Sequence, residues 1–220
     1  MRLLLTSEGF PNQTIRDGLA ELLGQPYSES SIVCVTTSAN AVAGDKRWML
    51  SILDQIREMG FREIDLLDIA GLPQDIYLSR LETAHVIYVF GGHSQYLMDE
   101  LERAELAPIL ADLLQTRVYA GNSAGSIVAA PSLAMANPAA ATYSEERPGR
   151  TSTNSLGFSP VHIRPHLNRA GHPSTPADVE NMIANHNVTE PVYLIDDESA
   201  VLVHDDAVRV LSEGQWQRFN

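Results

Sequence analysis

Arg117-Val118-Tyr119-Ala120-Gly121-Asn122-Ser123-Ala124-Gly125-Ser126-Ile127-Val128 reads as strand, sharp turn, helix. Inside it, Gly121-Asn122-Ser123-Ala124-Gly125 fits G-x-S-x-G, the nucleophile elbow. Such a turn holds its central serine in a strained backbone conformation, and the flanking glycines let strand and helix pack closely around it. The hydroxyl then stands clear of the sheet at a helix N-terminus, where free N–H groups and the helix dipole favour a developing oxyanion. The bland alternative is an ordinary small-residue turn. The strand before it and the helix after it favour the elbow.

Working outward, apolar runs at residues 2–6, 31–36, 64–69, 85–90 and 118–120 alternate with helical patterns at 13–23, 44–59, 78–83, 95–102 and 107–114. Five β-α repeats predict a mostly parallel, doubly wound sheet with helices on both faces. The strands show little polar alternation, as expected when both faces are covered. Residues 131–153 read as a helix end and a long loop, 158–165 as extended, and 175–186 as a helix opened by Thr175-Pro176. Short strands at 192–195, 200–204, 207–211 and 215–219, split by Asp205-Asp206 and Glu213-Gly214, predict a C-terminal antiparallel meander. No repeat or linker divides the chain, so one α/β domain over residues 1–220 is expected.

The 220 residues are 44% hydrophobic and 20% charged, with a net charge of −13. That acidity argues against nucleic acid or an anionic membrane as partner, since both call for basic patches. The single cysteine, Cys34, lies in an apolar strand and forms no intramolecular disulfide. With no apolar run of transmembrane length and no signal-peptide core, a cytoplasmic location is expected.

An elbow serine needs a base. His85 starts a strand, His186 ends a helix and His204 lies beside aspartates, so structural or surface roles suffice for them. His93 follows Gly91-Gly92 and borders a candidate site. His162, His166 and His172 share one segment, and His166 sits where the extended stretch ends, the edge at which ligands collect in open α/β sheets. The base in turn needs a carboxylate. None lies between Ala124 and Ser144, which leaves Asp196-Asp197-Glu198, three acids directly after an apolar strand, as the best source. Gly91-Gly92, at the tip of the strand before the elbow strand, offers backbone to an oxyanion beside the N–H of Ala124.

There is no phosphate loop, no dinucleotide fingerprint and no H-E-x-x-H. In an extended chain His162 and His166 lie too far apart to share one metal. No metal and no cofactor is expected.

Phe90-Gly91-Gly92-His93-Ser94-Gln95, the Gly121-Asn122-Ser123-Ala124-Gly125 elbow and Asp197-Glu198-Ser199-Ala200 resemble, in that order, segments of the serine peptidase family of dipeptidase E (aspartyl dipeptidase) and cyanophycinase. Relatives carry D-x-H-F where this chain has Arg164-Pro165-His166-Leu167. The resemblance implies a class I glutamine amidotransferase-like fold with serine in place of cysteine. It implies Ser123 as nucleophile, His166 as base, Glu198 as orienting acid, and Gly92 and Ala124 as oxyanion donors. It also implies a small peptide substrate, with an N-terminal aspartate as one form, and a homodimer. For an acidic first residue, Arg147, Arg150, Arg164 and Arg169 are the candidate guanidinium donors, with Arg164, Arg169 and His93 taken as substrate-binding. The acid that some aspartyl dipeptidases carry soon after the elbow is missing here, which points to the Ser-His-Glu arrangement of the cyanophycinase branch. Alternative readings are hydrolysis of β-aspartyl peptides and a non-catalytic binding protein that keeps the pocket.

Overall fold

Alternate side chains of the first strand, β1 (Arg2–Thr6), enter two different cores. Leu3 and Leu5 pack on one side of the sheet and Leu4 on the other, all fully buried. The same division holds for β2 (Ser31–Val35), β4 (Val86–Val89) and β5 (Val118–Asn122), all buried along their length. Unbroken apolar runs are therefore what this sheet requires. The computed structural model describes residues 1–136, 154–205 and 207–220.

The main sheet has the order β3-β2-β4-β5-β1-β8-β9, with β3 (Glu63–Leu67) and β9 (Ala207–Ser212) at its edges and β8 (Ser199–His204) beside β1. From β3 to β1 all neighbours are parallel, while β8 and β9 run antiparallel. Helices α1 (Gln13–Leu23) and α3 (Arg47–Glu58) cover one face with Ile15, Leu19, Ile52 and Ile56; a short α2 (Thr37–Asn40) precedes α3. The other face is covered by α4 (Gln74–Thr83), α5 (Ser94–Arg103) and α6 (Leu106–Leu113), through Leu81, Leu97, Leu101 and Leu110. Helix α7 (Ala124–Val128) follows the elbow, and α8 (Pro176–His186) opens with a capping box between Thr175 and Asp178. No helix among the described residues is long and apolar enough to cross a membrane.

All four expected C-terminal strands form, but they do not make one meander. β8 and β9 extend the main sheet. β7 (Val192–Ile195) instead sits in a second, three-stranded sheet between β10 (Trp216–Phe219) and β6 (His162–Arg164). The reason is burial: Tyr193 and Ile195 face the main core while Val192 and Leu194 face a third one with Met135, Val179 and Met182. A strand apolar on both faces takes a central position. The long loop expected at 131–153, with Glu145, Glu146, Arg147 and Arg150, falls outside the described residues from 137 onward; Leu133–Met135 is a 3₁₀ turn.

The elbow glycines are dictated by backbone. A Cβ on Gly125 would stand 2.0 Å from the Val89 carbonyl oxygen, and one on Gly121 would stand 2.6 Å from the Gly125 carbonyl. Main chain cannot yield as a side-chain tip can. Gly125→Ala is expected to destabilise the fold by about 3 kcal/mol, at the upper end for overpacking. In a chain of this size that lowers the thermal midpoint by roughly 6–12 °C. Gly71→Ala, where a Cβ meets nothing within 4 Å, serves as the unshifted control.

Candidate active site

Ser123 lies where β5 hands over to α7, at φ 48 and ψ −111, a backbone region that non-glycine residues avoid. Its neighbours hold it there. The Ser123 N–H donates to the Thr6 carbonyl (3.0 Å), and Ser126 Oγ donates to the carbonyls of Thr6 and Gly121 (2.8 Å each). Tyr119 donates its hydroxyl to the Gly125 carbonyl at 2.6 Å. Strain persists only where surroundings over-determine it, and it clusters at sites that do chemistry.

Parallel pairing then gathers the remaining groups. Thr6 is level with Asn122 and Val89 with Gly121, so the carboxyl ends of β1, β4 and β5 meet at Ser123. From β4 comes the Gly91-Gly92 loop. Asn122 Oδ1 accepts from the Gly91 N–H (2.9 Å) and from the Tyr88 hydroxyl (2.9 Å), and Ser38 Oγ donates to the Gly91 carbonyl (2.9 Å). Gly92 has φ +139, and a Cβ there would meet the Ser38 carbonyl at 2.2 Å, so glycine is obligatory. With the Gly91 N–H taken, the Gly92 N–H is the one this loop offers a ligand. Ala124 opens α7, where the first N–H groups have no partner within the helix.

The second sheet supplies an imidazole and a carboxylate. β6 and β7 run parallel, Arg164 level with Leu194, so their carboxyl ends lie side by side. His166 follows one and Asp197 the other. His166 Nε2 stands 3.0 Å from Ser123 Oγ, and His166 Nδ1 stands 2.7 Å from Asp197 Oδ1. An Nδ1–H donated to the carboxylate leaves Nε2 to accept from the serine hydroxyl. Burial pushes the Asp197 carboxyl up, but the hydrogen bonds from His166 and Ser7 and the charges of His166 and Arg169 outweigh it and hold the group down at about 2.

The choice of Glu198 as the acid against the imidazole is thereby corrected. The three consecutive carboxylates fan out from one turn. Asp196 Oδ1 accepts from the Glu198 N–H (3.1 Å) and from Ser199 Oγ (2.6 Å), which locks the turn. Asp197 points to His166. Glu198 is exposed and accepts from Asn12 Nδ2 at 3.1 Å. Consecutive residues of a tight turn cannot share one direction, and three acids in a row carry no mark of which one faces inward.

Two substrate-binding expectations are corrected as well. Arg164 is buried, and its guanidinium is spent on the Met135 and Pro173 carbonyls (2.8 and 2.7 Å) and on Ser174 Oγ (3.0 Å). Burial holds it down at about 10, still charged at neutral pH, as a tie between β6 and the residues preceding α8. His93 caps α5 by accepting from the Tyr96 N–H at 3.2 Å, and does not line the cavity at Ser123. Arg169 does line it.

Several groups escaped the reading of the sequence. Ser7 Oγ donates to Asp197 Oδ1 (2.7 Å) and accepts from the His166 N–H (2.9 Å), so one hydroxyl fixes both residues. His166 itself sits at φ +66. Glu8 lines the cavity and pairs with Arg169. His172, one of the three histidines that the sequence placed in this segment, lies against the His166 ring with centroids 4.4 Å apart. Ser7 and Glu8 follow β1 directly, so the rule that sites gather at strand carboxyl ends was the available signal. Glu8, His166 and Asp197 also approach one another closely enough to suggest a metal site. The position is already cationic: Arg169 Nη1 contacts the Glu8 carboxylate, Asp197 Oδ2 (3.1 Å) and His166 Nδ1 (3.4 Å).

The model of Peptidase family S51 matches residues 3–211 of this chain. Among curated proteins, "Uncharacterized peptidase PM1590" of Pasteurella multocida (strain Pm70) is 26% identical over 144 residues, 65% of this chain and 67% of that one. "Uncharacterized peptidase Lin0382" of Listeria innocua serovar 6a is 25% identical over 143 residues, 64% and 66% of the two chains. Among solved structures, a "Putative Peptidase E Protein" from Listeria monocytogenes EGD-e shares the fold at TM-score 0.76 and 20% identity, covering 97% of this chain and 98% of its own. A peptidase from an acI-B1 Actinobacterium does so at TM-score 0.63 and 18% identity, covering 99% and 93%. The fold is that of peptidase E, class I glutamine amidotransferase-like.

Proposed function

Since this chain belongs to peptidase family S51 and is a serine-type peptidase, we propose that it hydrolyses short peptides through a Ser123–His166–Asp197 triad and an acyl-enzyme. The observation that carries the reading is the 3.0 Å approach of His166 Nε2 to the hydroxyl of a serine in a strained elbow. His166 takes the Ser123 proton as the oxygen attacks the scissile carbonyl. The tetrahedral oxyanion is met by the N–H groups of Gly92 and Ala124, and His166 returns the proton to the leaving amine. Water then enters, loses a proton to His166 and releases the acid. Asp197, ionised and held by Ser7 and Arg169, keeps the imidazole in the accepting tautomer and stabilises its cation.

A fluorophosphonate is expected to label the chain at one residue, Ser123, located by mass spectrometry of the digested adduct. An unlabelled Ser123 at neutral pH would count against the acyl-enzyme and for a pocket that binds without turnover.

A further inference from the structure

The cavity at Ser123, about 220 Å³, has two walls beyond the reacting groups. One is charged and is built from Glu8 and Arg169; the other is apolar and is built from Val42 and Trp48, both partly exposed. In the charged wall and directly behind it stand two carboxylates, Glu8 and Asp197, and one guanidinium, Arg169, which pairs with both. A third carboxylate brought to Arg169 would put three anions around one cation. An ammonium brought to Glu8 restores the balance. Glu8 reaches Arg169 and His166 through Oε2. Its other oxygen can therefore accept from a ligand, one imidazole ring away from the nucleophile.

Resting on the peptidase reading, we propose that the site selects short peptides by their free N-terminal ammonium, held by Glu8, and by a non-acidic, apolar or aromatic first side chain laid against Trp48 and Val42. An α-ammonium lies two bonds from the carbonyl of its own residue, so a group gripped at Glu8 brings that carbonyl toward Ser123. The indole of Trp48 meets Phe90 edge-on (centroids 6.4 Å apart), which fixes it as a wall. Arg169 holds Glu8 and Asp197 and takes no acidic side chain.

The test separates binding from turnover. Calorimetric titration of the Ser123→Ala variant with Phe-Ala, Asp-Ala and N-acetyl-Phe-Ala reads the pocket even if the wild-type chain cleaves nothing. Phe-Ala is expected to bind at least tenfold more tightly than either of the others. Adding Glu8→Gln should erase the preference for the free amine and improve Asp-Ala binding, because Arg169 then loses one of its two carboxylates. Asp-Ala binding as tightly as Phe-Ala, acetylation without effect, or no binding of any of the three would overturn the proposal. Hydrolysis of Phe-Ala by the wild-type chain is measured alongside. Its absence with the binding order intact removes the triad mechanism and leaves the recognition standing.

Discussion

Ser123→Ala is expected to lower kcat for peptide cleavage by about 10⁶-fold, the scale on which removing a triad nucleophile acts in an unrelated serine peptidase. The remaining activity over water would come from the oxyanion donors and from binding. The backbone should not relax, because the carbonyls of Thr6 and Gly121 and the hydroxyls of Ser126 and Tyr119 hold the elbow whichever side chain occupies position 123. The thermal midpoint is therefore expected to stay in place while turnover disappears. Steady-state kinetics beside a melting curve distinguishes this from unfolding. A variant retaining a tenth of wild-type turnover would mean that another group attacks the carbonyl.

Asp197→Asn is expected to cost about 10⁴-fold in kcat, with Glu198→Gln changing it less than threefold. The asparagine keeps the shape but offers an amide that can donate to Nδ1, which turns the ring to the tautomer unable to accept from Ser123. Glu198 is exposed and its carboxylate accepts from Asn12 Nδ2, on the side away from the imidazole, so its loss leaves His166 where it is. The reverse order of effects would restore Glu198 as the acid. Asp197 also gives a pH signature. Its carboxyl, at about 2 in the fold against an ordinary 3.8, stabilises the native state fully above about pH 4, and that contribution is lost as the pH falls through about 2. The slope of stability against pH in that window should flatten in Asp197→Asn, measured by denaturant titration at each pH.

The geometric contrast between Asp197, against the imidazole, and Glu198, against Asn12, marks the limit of what the chain alone reveals. Periodicity and composition report which residues are buried and which turns are possible, because those depend on neighbours a few positions away. They marked the strands, the helices and the elbow, whose glycines answer to clashes within the motif and with the adjacent strand. The position of His166 after an extended stretch was legible for the same reason. Direction within a turn is different. Asp196 locks the turn, Asp197 meets His166 and Glu198 faces solvent, and the hydroxyl that holds Asp197 in place belongs to a serine 190 positions away.

Arg164 and Arg169 make the same point from the other side. Five residues apart and alike in charge, one is spent inside the fold on backbone carbonyls and the other stands in the cavity between two carboxylates. By itself the sequence determined a mostly parallel α/β sheet, a strained serine at the end of its fifth strand and a histidine beyond it, since these follow from local sterics and burial. Only the tertiary structure decided which carboxylate faces that histidine, that Ser7 and Glu8 join it, and that Arg169 arrives already neutralised. Those facts belong to strand ends brought together by parallel pairing, and hydrogen bonds and charges act across that space without regard to distance along the chain.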